Sequence, residues 1–75
     1  MAIFKFEAKK MKTGAHVKVE VFLGGKSRGF TSERAGSPLM VETTQSGSFS
    51  WYAKRMGSKV DSGESSGGNI LIAVD

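Results

Sequence analysis

The stretch from His16 to Phe30, HVKVEVFLGGKSRGF, constrains this chain more than any other. Val17, Val19, Val21 and Leu23 alternate with His16, Lys18 and Glu20. A period of two sends successive side chains to opposite faces, so the segment predicts a half-buried strand. Gly24-Gly25 then provides a turn, and the basic run Lys26-Ser27-Arg28-Gly29-Phe30 follows it. A second period-two run, Ile3 to Lys9, sets Phe4, Phe6 and Ala8 against Lys5, Glu7 and Lys9, and Met11 to Gly14 carries a turn signal. The two runs together predict an antiparallel hairpin.

The rest of the chain is punctuated in the same way. Thr31 to Pro38 reads as irregular, because Gly36 and Pro38 oppose a helix of useful length. Leu39 to Thr44 reads as a short strand. The aromatic segment 49–56 fits two periods. Phe49, Tyr52, Ala53 and Met56 suit a helix capped by Ser48 and Gly57, whereas Phe49, Trp51 and Ala53 suit one face of a strand, which the β-rich surroundings favour. The Gly- and Ser-rich stretch 61–69 predicts a flexible loop, and the apolar run Ile70 to Val74 predicts a strand covered on both faces. The expectation is one domain over 1–75, all-β or β-rich with one short helix at 49–56. It forms a small barrel or sandwich of five to six mostly antiparallel strands.

Length and composition exclude much. A chain of 75 residues buries only about 60% of its unfolded surface, so its core is thin. There is no cysteine and one histidine, His16, which removes thiol chemistry, disulfides and structural zinc. No metal, small-molecule cofactor or catalytic residue is expected. No segment approaches the roughly 20 apolar residues of a membrane span, so a cytoplasmic chain without membrane contact is the expectation.

Enzyme signatures fail individually. Gly25-Lys26-Ser27 ends like a phosphate loop, but Glu20 stands where its first glycine belongs. Lys12-Thr13-Gly14 matches a β-lactamase triplet without the Ser-x-x-Lys that must accompany it. Gly25 to Phe30 resembles the opening of the ribonucleoprotein motif of RNA-recognition domains, where Arg28 would contact phosphate and Phe30 would stack on a base. Ser32 and Glu33 depart from that pattern, and the chain lacks the family's two helices, so the family is not assigned.

Charge points to a partner. The net charge is +4, and it is uneven: through Arg34 there are eight Lys/Arg against three Glu, and afterwards three against four acids. Basic residues stand beside aromatics at Lys26 to Phe30 and at Trp51 to Arg55. Cations that track phosphates and rings that stack on bases are what single-stranded DNA or RNA requires. The expectation is therefore a non-enzymatic nucleic-acid-binding domain using Lys18, Lys26, Arg28, Phe30, Trp51, Tyr52, Lys54 and Arg55. Phe22 interrupts the polar face of its strand, as a contact residue or as one covered by a loop. The alternative is a protein-binding or self-assembling structural, inhibitor or accessory protein of a phage or mobile element, whose exposed strand edges pair with a partner or a second copy.

Overall fold

The computed structural model describes residues 1–74. Seven strands run in chain order: β1 (Ala2–Lys10), β2 (Glu20–Leu23), β3 (Lys26–Phe30), β4 (Leu39–Thr43), β5 (Phe49–Arg55), β6 (Ser58–Ser65) and β7 (Gly68–Val74). They form two sheets, ordered β4-β1-β7 and β3-β2-β5-β6, stacked as a sandwich that does not close into a barrel. The second sheet is antiparallel throughout, whereas β1 pairs antiparallel with β4 and parallel with β7. The radius of gyration, 11.5 Å, matches the roughly 11 Å expected of a compact unit of this length.

The core follows from alternation. Phe4, Phe6 and Ala8 of β1, with Ile72 and Val74 of β7 beside them in the same sheet, face Val21 and Leu23 of β2 and Trp51 and Ala53 of β5. Phe4 and Phe6 stack with centroids 6.2 Å apart, and Phe49 and Trp51 meet them edge-on at 5.8 and 6.0 Å. Within segment 49–56, Phe49–Arg55 is a strand and Met56 begins the turn after it, because only the period of two sends Trp51 and Ala53 inward together.

The expected hairpin of the first two runs forms only at its turn end. Lys10 N–H donates to Ala15 O at 2.9 Å, Val17 N–H donates to Ala8 O at 3.0 Å, and Lys9 bridges His16. The chain then leaves β1 and joins the other sheet as β2. Its valines stay turned toward the core as it crosses, so one alternating segment serves both layers. Buried Thr31 satisfies the backbone at the crossing, where its Oγ1 donates to Val17 O at 2.8 Å and accepts from Val19 N–H at 3.0 Å.

Three further expectations are corrected. Among the described residues the strands number seven rather than five or six. Segment 61–69 is not a loop: β6 runs to Ser65, the chain turns at Ser66-Gly67, and β7 begins at Gly68 in the other sheet, while Gly63 packs against the Trp51 indole. β7 lies at a sheet edge with one face covered, since Ile72 and Val74 are buried while Leu71 is exposed. The edge is tied down by Asp61 of β6, whose Oδ2 accepts the Ala73 N–H at 3.0 Å.

Candidate nucleic-acid interface

Strand register assembles the outer face of the β3-β2-β5-β6 sheet row by row. In one row Ser27, Phe22, Tyr52 and Ser62 stand on successive strands. In the next stand Phe30, Glu20, Lys54 and Lys59. The bulges in these ladders, between Val21 and Phe22 and between Ala53 and Lys54, lie where the two rows meet. The product is a pair of rings flanked by small hydroxyls, beside a row carrying two lysines.

The rings of Phe22 and Tyr52 are nearly parallel, 8° between planes with centroids 4.6 Å apart. Lys54 Nζ lies 5.5 Å from the Phe22 centroid and 5.8 Å from that of Tyr52, and Lys59 Nζ lies 5.2 Å from Tyr52 on the side of β6. Further along the face, Lys18 Nζ sits 5.0 Å from the ring of Phe30, which is 53% exposed. Glu20 is occupied by the hydroxyl of Ser27, which donates to its Oε2 at 2.7 Å. Among the described residues the one ion pair within 4 Å joins His16 and Glu7 elsewhere, so these lysines have no carboxylate at that range.

The residues expected from sequence are thus divided. Lys18, Phe30, Tyr52 and Lys54 share the outer face. Trp51 does not: it is 7% exposed, packed on Phe6, and unable to stack on a ligand, because its register position opposite Gly63 turns it into the core. Lys26 and Arg28 flank Ser27 on β3 but line a separate groove, a cavity of about 360 Å³ between β3 and β4 that Phe49, Glu42, Thr43, Thr44 and Gln45 complete. Arg55 is half-buried at the turn end of β5, opposite Ser58. Phe22 and Lys59 complete the platform. An aromatic on a polar face signalled the first, whereas nothing in the Gly/Ser-rich surroundings of Lys59 signalled the second.

No group of three or more His, Asp or Glu side chains among the described residues has the geometry of a metal site. Among the described residues no helix is long and apolar enough to cross a membrane. No family model matches the chain, and neither the search of curated proteins nor that of solved structures returns a match.

Proposed function

We propose that the outer face of the β3-β2-β5-β6 sheet binds single-stranded nucleic acid, without catalysis, in a cytoplasmic setting. The stacked Phe22–Tyr52 pair with Lys54 and Lys59 above it carries the reading. Phe22 and Tyr52 are half-buried, and a lysine over a ring at a solvent-accessible site is worth only about 0.5–1 kcal/mol, so a base is able to take its place. The base then stacks on the ring and the freed ammonium meets the adjacent phosphate. Stacking supplies about 1–3 kcal/mol per base and is indifferent to sequence, so the expected ligand is a strand of low sequence specificity.

Anisotropy of a labelled oligothymidylate, measured at about 50 and 200 mM salt, tests this. Phe22→Ala and Tyr52→Ala should each weaken binding roughly 5- to 100-fold, the range of one lost stack. Wild-type protein that fails to bind at low salt, or binds without salt dependence, removes the proposal.

A second reading, a protein-binding or self-assembling module of the kind phages and mobile elements encode, is favoured by the opposite face. Ile3, Met40 and Leu71 are exposed on the β4-β1-β7 sheet. Light scattering at increasing protein concentration tests its self-assembling form.

A further inference from the structure

We infer that the groove between β3 and β4 is a phosphate subsite, filled by a backbone phosphate of the strand that leaves the aromatic platform across the β3 edge. This rests on the platform reading. Alternate residues of β3 serve the two places: Ser27 stands in the Phe22 row, while Lys26 and Arg28 line the groove. β3 is the outermost strand of its sheet, so a ligand passes from one to the other around a single backbone.

The groove is built for an oxyanion at Arg28. The Nε–H of Arg28 donates to Leu23 O at 3.2 Å, which fixes the guanidinium and leaves its Nη donors to present a fork. Phe49 lies beside it across Gly24, where a Cβ would come within 3.5 Å of the Phe49 ring and 4.0 Å of Arg28 Nη2. Among the described residues neither Arg28 nor Lys26 has a carboxylate within 4 Å, although Glu42 lines the same groove. Two cations line it without an ion pair within 4 Å, and Thr43, Thr44 and Gln45 stand on the β4 side, where the Thr43 hydroxyl donates to Gln45 O at 2.8 Å. Glu42 is the one lining group that opposes an anion.

Oligothymidylates of about three and about twelve nucleotides separate the two places, since a short strand covers the platform alone. Arg28→Gln and Lys26→Gln should leave trinucleotide affinity unchanged and weaken the longer strand roughly tenfold together. Its salt slope should fall by about 0.7 for each cation removed. Glu42→Gln should tighten the longer strand only. Because Lys26 and Glu42 are exposed, their variants report even where Arg28→Gln perturbs the fold. Equal loss with both lengths, or unchanged affinity and slope with the longer strand, overturns the groove and leaves the platform standing. No wild-type binding of either strand overturns the platform. Inorganic phosphate alone, followed by amide shifts at Gly24 and Arg28, then separates a free-phosphate site from no site: shifts confined to the groove support phosphate chemistry there, and their absence overturns it.

Discussion

At the scale of single residues, Gly63 and Thr31 do work that composition conceals. A Cβ on Gly63 would stand 3.1 Å from three atoms of the Trp51 indole, a tight contact that the buried ring must relieve by moving a few tenths of an ångström. Gly63→Ala is expected to cost about 1–3 kcal/mol, read as a lower urea midpoint with an unchanged slope. Thr31→Val keeps the shape but strands the Val17 carbonyl and the Val19 amide, each without its hydroxyl partner. A loss of about 1–3 kcal/mol should follow, and a Thr31→Ser variant should recover most of it because the hydroxyl returns. Trp51 supplies a third test. Buried on Phe6, it should report unfolding by its fluorescence and show little change on addition of oligonucleotide, whereas a large quench would place it at the interface.

At the scale of elements, the turns set register and the edges are guarded. The β2–β3 hairpin turns on Gly24 and Gly25, with φ of 63° and 81°, and the β5–β6 hairpin on Met56 and Gly57, with φ of 54° and 81°. Two consecutive positive φ values match the right-handed twist of the flanking strands. Met56 adopts this conformation without glycine's freedom while 99% exposed, so its side chain contributes no packing in return. Met56→Asn should therefore stabilise the protein by about 1 kcal/mol, measurable as a raised denaturation midpoint. The alternation in Ile3–Lys9 and Val17–Leu23 was readable directly, because a half-buried strand writes its two faces into the chain. The partner of each strand was not. The second run departs from its hairpin after Val17, and β7 comes to lie parallel to β1, through contacts between residues distant in sequence.

At the scale of the whole molecule, the two outer faces differ. The β4-β1-β7 face intersperses Ile3, Met40 and Leu71 with Lys5, Glu7 and Glu42, which break its apolar surface. The other face gathers rings and lysines. A monomer at the concentrations of a binding assay is the expected outcome, and a mass that rises with concentration in light scattering counts for the assembly reading. With Lys18, Lys54 and Lys59 as the platform's cations, the logarithm of affinity for a short strand should fall with that of salt at a slope of about −2. The sequence by itself determined that this chain is β-rich, with a core made from the inward halves of its alternating runs, while segment 49–56 stayed open between strand and short helix until the structure showed a strand. It also determined that thiol and zinc-thiolate chemistry are closed to it, since those properties depend on residue type. Tertiary structure alone decided which rings meet solvent. Phe22 and Tyr52 become neighbours, and Trp51 is withdrawn from the surface, through the register of β2 against β5 and of β5 against β6. A shift of one residue in either ladder would exchange those faces, and the pattern of any one strand does not specify the register of its pairing.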